Sequence, residues 1–139
     1  MTPSTIEPGL LDAYPFARFL GVELEVTDIV TARLPFAAHL IGNPMIPALH
    51  GGVIGAFMEI AAMAQLAHGE KRLKIPKPIN VSVQYLRSGK PVDTFARATV
   101  NRVGRTIANV EAFAWQDAPD HPIATLQVHF LMADQDLPA

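Results

Sequence analysis

The 139-residue sequence predicts an α+β domain in which one long central helix is wrapped by a curled antiparallel sheet of about six strands. Three observations predict it. The stretch from His50 to Ala67, HGGVIGAFMEIAAMAQLA, is apolar in every helical direction for about five turns, so other structure must cover it. The last long segment alternates, with Ala124, Leu126, Val128, Phe130 and Met132 forming a uniformly apolar side. Turn residues at Ser88-Gly89-Lys90-Pro91, at Gly104 and at Asp117-Ala118-Pro119-Asp120 divide the second half into strand-length pieces. The apolar side of the sheet is expected to meet the helix.

Taken in order, Thr5 to Phe19 reads as a short helix or turn-rich lead whose Leu10, Leu11, Tyr14, Phe16 and Phe19 can cap a core, and Gly21 ends it. Val22 to Asp28 and Ile29 to Phe36 read as a tight antiparallel pair. Ala37 to Leu49 carries Gly42, Asn43, Pro44 and Pro47 and reads as a loop delivering the chain to the helix; the polar, proline-bounded Gly69 to Pro78 reads as another. Strands are then expected over Ile79 to Arg87, Thr94 to Val103, Thr106 to Trp115 and Pro122 to Met132, in a meander.

Composition excludes several functions. No internal boundary breaks residues 1–139, which read as one domain with a short lead over 1–20 and a short tail over 133–139. A net charge of −2, 17% charged residues and the absence of any long basic run leave little to hold nucleic acid. Without cysteine there is no disulfide framework, thiolate nucleophile or cysteine metal site, and a cytoplasmic location is the expectation. The N-terminal MTPSTIEPGLLDAY lacks a basic start and an apolar signal core, and Glu59 breaks the most apolar stretch, so no membrane segment is expected. His39, His68, His121 and His129 show no metal-ligand spacing and no phosphate-binding glycine pattern occurs, so no metal or cofactor is expected.

Glu59 is the most informative residue. It stands in the middle of the apolar helix, with Phe57, Met58, Ile60 and Ala61 beside it, Gly55, Ala56, Ala62 and Met63 one turn away, and no Lys or Arg at helical spacing. A carboxylate buried there without a partner costs several kcal/mol or has its pKa forced upward. A glutamate could also snorkel from a gap in the apolar surface. The helix opens with His50-Gly51-Gly52, and free backbone N–H groups at a helix N-terminus favour a negatively charged oxygen. Gly51 and Glu59 lie about 12 Å apart along the helix axis.

Asn43-Pro44, His50-Gly51-Gly52 and the acidic Glu59 together resemble the motif of hotdog-fold acyl-CoA thioesterases, in the phenylacetate-pathway-like branch of the 4-hydroxybenzoyl-CoA thioesterase superfamily. The resemblance spans nearly the whole chain: Tyr14 to Leu24 is similar to that family's entry helix and first strand, and Val81 to Leu86 and Arg102 to Arg105 to its later strands. It implies hydrolysis of an acyl-CoA thioester, with the Gly51 N–H polarising the carbonyl, Glu59 acting as base or nucleophile, and Asn43 and His50 orienting the substrate. It also implies a homodimer or dimer of dimers with active sites at the subunit boundary, where two antiparallel helices bring Gly51 of one chain to Glu59 of another. The chain departs from the pattern in three places. Asn43 precedes His50 by a longer gap than usual, Met63 replaces a hydroxyl residue found in some relatives, and Ser88 stands one place after the position of a serine, here Arg87.

Gly52, Arg87, Ser88 and Arg105 are candidates for holding substrate, the cations and turn N–H groups being suited to CoA phosphates; Lys90 and Arg102 belong to the same set. Taken singly, each of the cations reads first as ordinary solvated charge. His50 could simply cap the helix and Asn43 serve a turn. Two other readings stand beside thioester hydrolysis: a hotdog-fold dehydratase or enoyl-CoA hydratase, and a non-catalytic acyl-CoA binding module.

Overall fold

The computed structural model describes residues 11, 14–70 and 76–132, so the expected lead is described only at Leu11 and from Tyr14 onward. Helix α1 (Pro15–Leu20) begins on a proline, whose fixed φ suits a first helical residue, and closes at Gly21. Gly21 adopts φ 86°, which glycine takes without strain, and its N–H reaches the carbonyls of Ala17 and Arg18. β1 (Glu23–Val26) and β2 (Val30–Leu34) form the expected hairpin. The span read as a loop holds more order than expected: a 3-10 turn (Ala38–Leu40), then a small ribbon of β3 (Ile41–Asn43) and β4 (Ala48–Leu49). Helix α2 (Gly51–Glu70) runs about one turn past Ala67. β5 (Lys77–Tyr85), β6 (Thr94–Val103), β7 (Ile107–Trp115) and β8 (Ala124–Leu131) follow at the expected places.

The six long strands form one antiparallel sheet in the order β1-β2-β6-β7-β8-β5. The meander therefore covers β6 to β8 and not β5, which pairs with β8 at the far edge. The reason lies between Tyr85 and Thr94: eight residues are more than a tight hairpin uses, and they carry the chain across the end of the sheet.

Alternation fixes the packing. Ala96, Ala108, Val110, Ala112, Ala114, Ala124, Leu126, Val128 and Phe130 are buried on the side that faces α2, many of them small. Opposite them α2 places Phe57, Met58, Ile60 and Leu66, all fully buried, so large side chains of the helix fill the space that alanines leave. Burying Phe57 or Phe130 contributes about 1.5–3 kcal/mol each. The outer side of the sheet mixes aromatic and polar side chains: Phe95, Trp115 and Phe113 stack, with Arg97 over the Trp115 ring. Asn101 Nδ2 donates to Asn109 Oδ1, and Asn109 and Asn80 engage the two ring nitrogens of His129, a ladder across four strands. Exposed apolar side chains occur along β5 and its exit, at Ile79, Val81, Tyr85 and Leu86, and also beside the β6–β7 turn, at Val103 and Ile107.

Candidate active site

One chain does not cover α2 all round. Gly52 is exposed and Val53, Gly55, Ala56 and Glu59 are half-buried, so the helix keeps an open side marked by small residues and one carboxylate. The two polar residues that interrupt α2 have different surroundings. Gln65 Oε1 accepts the Val30 N–H at 2.8 Å, tying the helix to the start of β2. Glu59 Oε2 accepts the Tyr14 hydroxyl at 3.3 Å, across 45 residues of sequence. Burial raises the Glu59 carboxyl above the ordinary glutamate value, and the Tyr14 hydrogen bond, which favours the charged form, opposes that rise. Burial also raises the Tyr14 phenol, with the Glu59 charge adding to it. Glu59 is thus half-buried and partnered, where the sequence suggested full burial.

At the head of α2, His50 caps the helix with its ring: Nδ1 accepts the Gly52 N–H at 2.9 Å, as a Ser or Asp side chain would at an N-cap. The ring is tightly flanked. A Cβ on Gly42 would lie 2.7 Å from the His50 Cα, and one on Gly52 would lie 2.9 Å from Nδ1. The His50 carbonyl accepts the Val53 and Ile54 N–H groups. The Gly51 N–H has no acceptor among the described residues. Tyr85 lies over this turn, donating its hydroxyl to the Gly51 carbonyl at 2.6 Å.

A pocket of about 370 Å³ opens at this point. It runs from Gly51 and Tyr85 to Arg87, Ser88 and Gly89, with Ala48, Leu49, Ile54 and Leu86 as its apolar wall. The Leu49 N–H donates to the Gly89 carbonyl at 3.0 Å, joining the wall to the rim. Arg87 is held at the rim by the Pro122 carbonyl, which accepts from Nε at 3.0 Å, and by His121 Nε2; His121 Nδ1 in turn lies 3.5 Å from Asp117 Oδ1.

With this geometry in place, the sequence profile of the thioesterase superfamily matches residues 47–122, more than half of the chain, from just before the head of α2 to just before β8. The chain belongs to the thioesterase superfamily. It is 30% identical over 109 residues to the medium/long-chain acyl-CoA thioesterase YigI of Escherichia coli, covering 68% of this chain and 70% of that one. A Chromobacterium violaceum protein of known structure is 34% identical, with a TM-score of 0.71 over 93% of this chain and 90% of its own. A phenylacetic acid degradation-related protein from Ralstonia eutropha shares the fold at a TM-score of 0.75 and 20% identity, covering 85% and 89%. The helix and six-stranded sheet of this thioesterase are the hotdog fold expected from its motif.

Of the candidate residues in this thioesterase, one chain brings together Gly51, Arg87 and Ser88, with His50 and Gly52 at the same helix head. Glu59 lies further along α2, outside the pocket. Asn43 is exposed in the β3–β4 ribbon, where its Oδ1 accepts the Met45 N–H at 2.9 Å and shapes a turn. Arg105 sits in the β6–β7 turn, at the opposite end of the sheet from Arg87 and Ser88, because β6 starts beside the pocket and runs away from it for about 30 Å. Tyr85 and Tyr14 carry the contacts that sequence reasoning missed: Tyr14 read as a core-capping aromatic and Tyr85 as one residue of a strand, and only their hydroxyls give a hint of a polar task. Among the described residues no group of three metal-ligating side chains occurs and no helix is long and apolar enough to cross a membrane.

Proposed function

We propose that this thioesterase hydrolyses acyl-CoA, with the Gly51 N–H as the oxyanion donor and Glu59 as base or nucleophile. The observation that carries the reading is the Gly51 N–H, without an acceptor among the described residues, at a helix N-terminus that lines a pocket with apolar walls and a cationic rim. YigI is a medium/long-chain acyl-CoA thioesterase, which supports an acyl-CoA substrate. In the base route Glu59 takes a proton from water as the oxygen adds to the thioester carbon, and the carbonyl oxygen gathers charge against Gly51. Collapse breaks the C–S bond, and the departing thiolate takes the proton from Glu59, leaving acid and CoA thiol. In the nucleophile route Glu59 adds to the same carbon and expels the thiolate, and water opens the resulting anhydride.

We infer a homodimer joined along β5. A Cβ on Gly51 would meet Tyr85 and one on Gly55 would meet both Tyr85 and Val83, so β5 runs beside the open side of α2 and antiparallel to it. A two-fold axis through the middle of β5 would pair the exposed strands, cover Ile79 and Val81, and set the α2 helices antiparallel. Glu59 of one copy would then face the Gly51 of the other, closing the gap that separates them on one helix. Incubation with acyl-CoA tests the reading: release of free thiol supports it, whereas hydration of an enoyl-CoA, or binding without turnover, would replace it with one of the alternatives.

A further inference from the structure

We propose that Tyr14 is a positioning residue for the reaction: its hydroxyl, donated to Glu59 Oε2, fixes the carboxylate on the open side of α2 and leaves Oε1 to meet water or the thioester carbon. The proposal rests on the reading of Glu59 as the reacting group.

The contact is held from both directions. The Tyr14 N–H donates to the Leu11 carbonyl at 3.0 Å and the Tyr14 carbonyl accepts the Ala17 N–H at 3.0 Å, so the backbone is set at the entry to α1. The residue is half-buried and packs against the core, as Leu11 does. A phenol held this way points its O–H at a fixed place, and a carboxylate that gives one oxygen to it loses most of its freedom to rotate. The catalytic geometry then depends on a group outside α2, the pocket and the motif at the head of the helix.

Few other charges bear on Glu59. Within one turn α2 offers Gly55, Ala56, Ala62 and Met63. β5 turns Val83 and Tyr85 toward the helix, and Tyr85 spends its hydroxyl on Gly51. The central strands face α2 with buried apolar side chains, and the buried Thr94 bonds to Gln116. On α1, Arg18 is exposed. Among the described residues Tyr14 is therefore the one titratable group that acts on the carboxylate, and it acts against burial by favouring the ionised form.

The test is Tyr14→Phe, which keeps the ring and removes the hydroxyl. Loss of the donor leaves burial unopposed, so the acid limb of the kcat/KM profile should move to higher pH by about half a unit or more, with KM for acyl-CoA unchanged. The Glu59 carboxyl carbon, followed by 13C NMR, should titrate higher by the same amount. The chain has two tyrosines, so 3-fluorotyrosine incorporated into Tyr85→Phe modifies Tyr14 alone; its more acidic phenol should move the limb the other way. A limb and a carboxyl titration that stay in place, in a variant set where Glu59→Gln is inactive, overturn the role of Tyr14, as does a lowered melting temperature with an unmoved limb. Near wild-type kcat in Glu59→Gln overturns the reading of Glu59 itself, and that of Tyr14 with it.

Discussion

The hydroxyl of Tyr85 donates to the carbonyl of Gly51 at 2.6 Å, and the ring lies over two glycines at once. A Cβ on Gly51 would stand 3.3 Å from the ring and one on Gly55 would stand 3.6 Å from the hydroxyl. The Gly51-to-Gly55 spacing, one helical turn, thus makes room for an aromatic side chain that pins the turn holding the proposed oxyanion donor. Removing the hydroxyl in Tyr85→Phe should lower kcat about fivefold, the effect of losing one neutral hydrogen bond. Gly55→Ala should be tolerated, since its Cβ makes ordinary contact, whereas Gly55→Leu should displace the ring and lower turnover further. Steady-state kinetics on the three variants checks the order.

Gly51→Pro isolates the N–H. Gly51 is the first residue of α2, where proline is well accommodated because that N–H has no intrahelical partner to lose. The fold should survive, with Tyr85 shifting by a few tenths of an ångström to accept the ring. Turnover should fall about a hundredfold or more if the N–H stabilises the oxyanion. Circular dichroism alongside kcat separates that loss from unfolding, and unchanged turnover would move the oxyanion site elsewhere.

Glu59→Gln should remove most of kcat while leaving acyl-CoA affinity close to wild type, since the amide neither accepts the proton nor attacks the carbon. Its stability effect has a definite sign. Burial raises the folded-state pKa above the unfolded value, so between the two values the folded chain holds a proton that the unfolded chain has lost. The wild type therefore loses stability as pH rises from the unfolded value through the folded one, and carries that penalty at neutral pH. Glu59→Gln lacks the penalty and should melt higher than wild type near pH 7, with the difference shrinking as pH falls toward about 4.3. Melting curves from pH 4 to pH 8, run with the kinetics, read both effects; a variant that loses stability and activity together would mark Glu59 as structural.

The exposed edge of β5 predicts assembly. Ile79 and Val81 are half exposed in one chain, at the edge of a nine-residue strand whose other neighbour is β8. Ile79→Lys or Val81→Lys should place like charges across a two-fold axis and shift the protein toward monomer in sedimentation. Thioesterase activity should fall with dimer content, because each site would take Gly51 and Glu59 from different copies. A fully active monomer would sink the shared-site reading.

Much of this protein is written locally in its sequence. The continuous apolar surface from His50 onward marks α2, and the turn residues and alternation after Ile79 mark β5 to β8 and their inward faces, because a side chain's direction follows from the backbone period alone. Gly51 at a helix start and Glu59 within an apolar run are legible for the same reason, and with His50 and Gly52 they carry the resemblance to the family. Tertiary structure alone decided the rest. The place of β5 beside β8 depends on which strand edge a long connection reaches, and no local pattern encodes that. The hydroxyls of Tyr14 and Tyr85 meet Glu59 and Gly51 across 45 and 34 residues of chain, and Arg105 is carried to the far end of the sheet by the direction of β6. A polar atom's partner is set by where folding places its neighbours, so the sequence named the proposed reacting carboxylate and donor, and only the packed chain shows the two phenols that contact those residues.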